Sequence, residues 1–412
     1  MYRRRCNSKS PIKQKGLVLV LVTAAMLSLV GVAAFSVDVN HALMNQTRLQ
    51  NSVDAAALAA AVVVANGGTT ANASIAANNT LTGMAAATGN TEMDFNAANI
   101  DVQYSNDPAT FPGGTLDLDG DVFVRVEVTD YALTDFFIDI FGIDKELASS
   151  AVAGPSASLD VVCNLVPMAV CSGPGGGTSG YTAGDLYALK LGESGVNMGP
   201  GNFQLLDFGS GGAQIREALA GGFFDCEAIG DTVTTQPGNK IGPVGQGLNT
   251  RFDQYSGGGL SESDYPSDIY VAEPADVAVL EADGVTITYT DTSGAGGNPW
   301  GYTDYEAGVA ACAGGGSGDC RSDGSNNRRV IQVPIVDCAS SDGGGVNTLS
   351  IEAFGCFFLT QQAPTTNGSK QPVFGEYLEE CYVPNGSFGN GGGTGEGPFR
   401  IVLYDDPLSD NS

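Results

Sequence analysis

From Leu17 to Phe35 the chain reads LVLVLVTAAMLSLVGVAAF, nineteen residues without one charge. A strand has no use for so long an apolar run. As a helix rising about 1.5 Å per residue it spans roughly 28 Å, close to the hydrocarbon thickness of a bilayer. Arg3, Arg4, Arg5, Lys9, Lys13 and Lys15 precede it with no acid among them. Flanking lysine and arginine stay on the cytoplasmic side. Residues 1–15 are therefore expected as a cytoplasmic basic tail, 16–37 as a transmembrane anchor, and everything beyond as exported. A cleaved export signal competes with this reading, since Ala33-Ala34 supplies small residues. Such signals have shorter apolar cores, and here helical patterning runs on past the alanines.

The pattern continues through Val39, Ala42, Gln46, Leu49, Val53, Ala56, Ala60 and Val63, in steps of three and four. That spacing marks one face of a helix, here built mostly from small residues. Asn40, Asn45, Arg48, Asn51 and Asp54 fall off the seam, and Asn66-Gly67-Gly68 supplies a stop. The simplest reading is one helix from about Leu17 to about Ala65, roughly 73 Å long. Its half beyond the span, residues 38–66, is an amphipathic stalk. A seam of small side chains admits a close partner: either the protein's own body or the stalk of another copy.

The order of basic tail, Gly16, apolar span and VDVNHALMNQTRLQNSVDAAALAAA resembles the N-terminal segment of the TadE/TadG-like proteins of the Flp (tight adherence) pilus system. Asp38, Arg48, Leu49, Gln50, Asp54 and the run Ala55-Ala56-Ala57-Leu58-Ala59-Ala60 carry the likeness. The resemblance implies a role in assembling pili or related envelope structures from a bacterial inner-membrane anchor, with other pilus-assembly or envelope proteins as partners. Prepilin-type processing at Lys15-Gly16 is a further option, but Leu21 stands where a mature pilin has an acid.

Residues 67–155 read as a small α+β segment. NIDVQYSND and GDVFVRVEVTD alternate apolar and polar side chains, as half-buried strands do, and ELASSAVAG reads as a closing strand ended at Gly154-Pro155. The stretch YALTDFFIDIFGI between them is expected as a short helix or strand under the sheet, and the segment resembles the first periplasmic part of TadG-like proteins. Asp117, Asp119 and Asp121 hint at a calcium loop, but the glycine and glutamate such a loop needs are replaced by Val122 and Val128. An acidic turn is the plainer reading.

Residues 156–412 hold Cys163, Cys171, Cys226, Cys312, Cys320, Cys338, Cys356 and Cys381, and no cysteine lies between 7 and 162. An even set confined to the expected exported part points to four disulfides. Cys163 with Cys171, and Cys312 with Cys320, are expected as local staples. Zinc and redox sites want Cys-x-x-Cys pairs, which are absent. DVAVL, VTITYTDT, RVIQVPIVDC, TLSIEAFGCFFLTQ and FRIVLYDD read as strands between glycine-rich loops, and GAQIREALAGG as a helix. PGNKIGPVGQGLNTRF is expected as an ordered loop, with Arg251 against an acid, because it lacks the lysine and hydroxyl of a phosphate loop. The whole is an α+β chain: a transmembrane helix continuing into a stalk, then a β-rich mixed body.

Past residue 15 the chain carries 12 basic against 46 acidic side chains, which would repel nucleic acid. His41 is the only histidine, so histidine-based triads and metal sites have no material in the body. Glu379 and Glu380 are adjacent and would face opposite sides of a strand, unlike an acid/base pair. Asp291, Ser293 and Ala295 only approximate the Asp-x-Ser-x-Ser metal motif that some TadG-like proteins carry. No cofactor, metal or catalytic residue is therefore assigned. The expected function is non-enzymatic pilus or envelope assembly; a surface adhesin or ligand-binding module on the same anchor is the alternative.

Overall fold

The computed structural model describes residues 17–90, 92–118, 120–134, 136–137, 146–190, 202–209, 211–223, 225–294, 297–313, 318–341, 345–366, 371–388 and 396–409. It begins with one uninterrupted helix, α1 (Leu17–Ala65). The stop works as the glycines suggest. The Gly67 N–H bonds to the Val64 carbonyl and the Gly68 N–H to the Val63 carbonyl, with Gly67 at φ 75°. Those two bonds satisfy the carbonyls left open at a helix end, and the left-handed turn between them suits glycine. A Cβ on Gly68 would stand 2.6 Å from the Val63 side chain.

A second helix, α2 (Thr70–Ala86), follows and was not legible in the sequence. Thr69 caps it by accepting the Asn72 N–H, and Ala73, Ala77 and Leu81 bury a face against α1. Then come β1 (Asn99–Ser105), β2 (Phe123–Ala132) and β3 (Glu146–Pro155), where strands were expected. The part of the aromatic stretch at 135 and 138–145 lies outside the described residues, as does Asp119 of the acidic turn. That turn is pinned by Asn106, whose Nδ2 donates to the carbonyls of Asp117 and Asp121.

The body runs through β4 (Val161–Cys163), β5 (Val170–Cys171), β6 (Leu186–Lys190), β7 (Asn202–Leu206), α3 (Gly212–Glu217), β8 (Cys226–Ala228), β9 (Thr232–Pro237) and α4 (Ile241–Leu248). It continues with β10 (Ala278–Leu280), β11 (Ile287–Tyr289), α5 (Tyr302–Ala313), β12 (Val330–Val336), β13 (Thr348–Phe358), β14 (Val373–Leu378), β15 (Glu380–Tyr382), β16 (Gly386–Ser387) and β17 (Gly397–Phe399). β18 (Ile401–Tyr404) ends the series. The main body sheet runs β5-β12-β13-β14-β6, and β9 pairs with the start of β13 and with β7. Its faces bury Val333, Ile335 and Phe357 on one side and Val336, Phe354 and Phe358 on the other. Opposite burial of neighbouring residues explains why β12 and β13 read as nearly continuous apolar runs.

Three expectations need correction. The loop expected around Gly242–Phe252 is the helix α4 followed by a tight turn, and Arg251 is buried, donating to the carbonyls of Leu219 and Arg328 rather than to an acid. Its glycines are packing sites: a Cβ on Gly247 would meet the Arg216 carbonyl oxygen at 2.4 Å. Cys163 does not pair with Cys171; the bonds are Cys163–Cys226, Cys171–Cys338, Cys312–Cys320 and Cys356–Cys381. β4 and β8 set Cys163 directly opposite Cys226 in register, while Cys171 ends β5 beside the Cys338 turn that follows β12. Finally, β3 does not close its sheet. β18 pairs antiparallel with Val152–Pro155 of β3, giving the order β1-β2-β3-β18. The Arg125 guanidinium seals that return with a 2.8 Å bond from its Nε to Asp406 and a two-pronged contact to Glu127. The segment 67–155 thus takes its fourth strand from the far end of the chain.

Candidate functional site

The stalk is the candidate site, because its two halves meet different surroundings. From Val18 to Val37 the apolar side chains are exposed apart from the half-buried Ala34; Leu19, Leu29 and Val32 are each about 70% exposed (73%, 71% and 69%). This segment is long and apolar enough to cross a membrane. From Leu49 onward the helix is sunk into its own domain. Leu49, Val53, Ala56 and Ala60 of the seam, with Ala57 and Ala61, are fully buried against Val124, Val126 and Val128 of β2, Ala151 and Ala153 of β3, and α2. Alanines let helix and sheet backbones approach closely, which is why the seam is built of them.

The first seam positions behave differently. Val39 is 37% exposed and Ala42 is half-buried. Gln46 reaches sideways, its Nε2 donating to the Ala148 carbonyl at 3.0 Å. Gln50, one turn on, donates to the Ser150 carbonyl at 3.0 Å and to Asp54 at 2.7 Å, and accepts from the Ser149 hydroxyl. Four residues of helix advance about 6 Å, and two residues of strand nearly 7 Å. Glutamines four apart on α1 therefore fall opposite carbonyls two apart on β3. They cover the half of that strand edge which β18 leaves unpaired. Nothing in the periodicity distinguishes Gln50 from any other polar residue off the seam; the signal lay in its fixed place after Arg48-Leu49.

Where the bare half becomes the buried half, Asp38 is itself buried. Its carboxylate accepts the backbone N–H of Phe136 at 3.3 Å and of Phe137 at 3.0 Å. His41, one turn along, meets the Phe136 ring edge-on at 4.9 Å and bonds Glu92 at 3.0 Å. That hydrogen bond holds the Glu92 carboxyl below its usual range. Leu43 and Met44 face outward at 61% and 55% exposure.

A second feature is a cleft of about 580 Å³ where the stalk's end, the turn before β2 and the body meet, lined by Val64, Asp121, Tyr302, Glu306, Tyr377 and Glu380 among others. Glu380 is exposed, but partial desolvation of its carboxyl against the cleft wall, with Asp121, Glu379 and Glu396 nearby, pushes it up to about 7. Behind the cleft wall, the wholly buried Arg329 stands over the rings of Phe252 (4.3 Å) and Phe358 (4.7 Å). It donates to the carbonyls of Leu359, Ala272 and Thr360. Asp268 accepts the Arg329 backbone N–H and the Tyr305 hydroxyl in the same interior. This group ties α5 to the main sheet and faces no opening. The Asp291–Ser293 stretch is a loop beyond β11, and Ala295 lies outside the described residues.

Residues 16–63 match the family described as putative Flp pilus-assembly TadE/G-like. The match ends within two residues of the end of α1, so it covers the span and the buried seam together. No curated protein and no solved structure matches the chain.

Proposed function

We propose, from an N-terminal segment that matches the putative Flp pilus-assembly TadE/G-like family, that this chain is a single-pass inner-membrane protein. Its four-disulfide body works in the periplasm as a non-enzymatic component of Flp-type pilus assembly. One observation carries the reading: span and stalk are a single helix, bare over Val18–Val37 and clamped into the body's own sheet from Leu49 on. Such a rod transmits position rigidly between bilayer and body. The basic tail supports a cytoplasmic N-terminus, since flanking lysine and arginine stay on that side. Four disulfides suit an oxidising compartment and support the opposite side for the body. Other pilus or envelope proteins are the proposed partners, with Val39, Leu43 and Met44 as the stalk surface left for a neighbouring helix, including that of a second copy.

The test is thiol labelling of spheroplasts from either side, with and without reduction. The reading expects Cys6 alone to label from the cytoplasm and the eight body cysteines to react only after reduction. Free labelling of the eight as cytosolic thiols would refute it.

The acidic cleft favours a second reading, in which the body is an adhesin or binding module for a basic ligand. Salt-sensitive binding of a lysine-rich peptide, lost in Glu380→Gln, would favour it over assembly alone.

A further inference from the structure

At the foot of the span α1 holds two other segments among the described residues: the Phe136-Phe137 turn, bonded by Asp38, and Glu92, bonded by His41. The apolar stretch without charge, from Gly16 to Val37, is about as long as the hydrocarbon core is thick, by the helical rise. The hydrocarbon boundary therefore falls near Val37, one residue before the first acid. Asp38 holds the backbones of Phe136 and Phe137, and the Phe136 ring rests on His41. Both contacts lie within six residues of Phe35, less than about 10 Å along the axis by the same rise. The headgroup layer beyond each face of the core is about 5–7 Å deep. The turn thus sits at headgroup depth wherever α1 spans. Its two rings are nonetheless large, apolar and nearly half exposed, at 49% and 45%. Aromatic rings at this depth gain by inserting beside the acyl chains.

We propose that Phe136 and Phe137 insert into the outer headgroup region of the bilayer that α1 spans, and that Asp38 is the positioning residue that aims them there. The occupant is lipid, and the inference rests on the anchor reading above. It adds a second point of membrane contact, off the helix axis. A single helix leaves its domain free to tilt about the foot of the span; a second contact fixes which face of the sheet looks at the membrane.

The experiment places tryptophan in the turn of the full-length chain, Phe136→Trp and Phe137→Trp separately, after reconstitution into phosphatidylcholine vesicles. Emission is compared with the parent chain, which carries only Trp300. The proposal expects blue-shifted added emission that loses about half its intensity when the acyl chains are brominated near the glycerol end. Asp38→Asn combined with Phe137→Trp should shift the emission back to the red and relieve the quenching. Vesicles that float with bound protein but leave both added tryptophans unquenched would overturn the insertion while leaving the anchor standing. Protein that fails to float with the vesicles would overturn the anchor and this inference together.

Discussion

The two disulfides that close very different lengths of chain allow a quantitative test of how the body is held. Cys171–Cys338 spans 167 residues and Cys312–Cys320 spans 8. All four sulfurs belong to partly buried residues, so the packing lost on replacement by alanine is similar. What differs is the freedom restored to the unfolded chain. Loop-closure entropy puts the long bridge at about 5 kcal/mol and the short one at about 2.5 kcal/mol. The difference, about 2.5 kcal/mol, is close to a hundredfold in the folding equilibrium. The assay is urea unfolding of the detergent-solubilised chain, comparing Cys171→Ala/Cys338→Ala with Cys312→Ala/Cys320→Ala. Trp300, whose ring lies 5.9 Å from that of Phe358, reports loss of the body core. The long-bridge variant should unfold at clearly lower urea, with a slope no shallower than the short-bridge variant's because its unfolded chain is freer to expand. Equal midpoints, or a lower one for the short-bridge variant, would refute the reasoning and point to native-state strain or residual unfolded structure instead.

Leu49→Ala should cost about 2–4 kcal/mol by opening a cavity between α1 and the sheet, and Val53→Asp should cost more by stranding a charge there; proteolysis of the 67–155 segment checks both, and unchanged resistance in Val53→Asp would count against the buried seam. Glu380, raised to about 7, makes the native state bind a proton that the unfolded chain releases near the ordinary glutamate value. Stability should therefore fall as pH rises from about 4.5 to 7 through this group, and Glu380→Gln should flatten that slope in thermal melts at a series of pH values. Arg329→Met should destabilise the body by roughly 3–5 kcal/mol, because Asp268 and three carbonyls lose the charge and donors that face them; a melting temperature equal to the parent's would show that the interior repacks without them.

The helix α1 could be read from residues 17 to 65 because three independent signals agree there: no charge in its first half, one seam in its second, and a glycine pair at its end. The strands β1 and β2 announced themselves by alternation, and β3 by a small-residue run ended at Gly154-Pro155. What stayed hidden had a physical reason each time. α2 is a run of Ala, Asn, Thr and Gly with little amphipathic contrast, and it is held by a Thr69 cap and by α1 rather than by pattern. α4 contains three glycines and a proline, and it is helical because its glycines let Pro364 and Arg216 come close. Cys171 and Cys338 meet only because β5 lies parallel to β12, a pairing no local rule contains. In the candidate site, the buried seam was visible as spacing. The Gln46 and Gln50 contacts were not, since they depend on helix and strand advancing by similar steps side by side.

The return of β18 to β3 also sets an order of events during synthesis. Val152 and Tyr404 are paired neighbours separated by 252 positions in the chain. A ribosome that has made the stalk, α2 and the first three strands has made a sheet with one raw edge, and Arg125 waits without its Asp406. That edge stays open until nearly the whole body has been made, so the sheet beside α1 is begun early and is among the last parts to be finished. A chain cut short anywhere in the body would carry α1 complete and yet display an unsealed strand beside it.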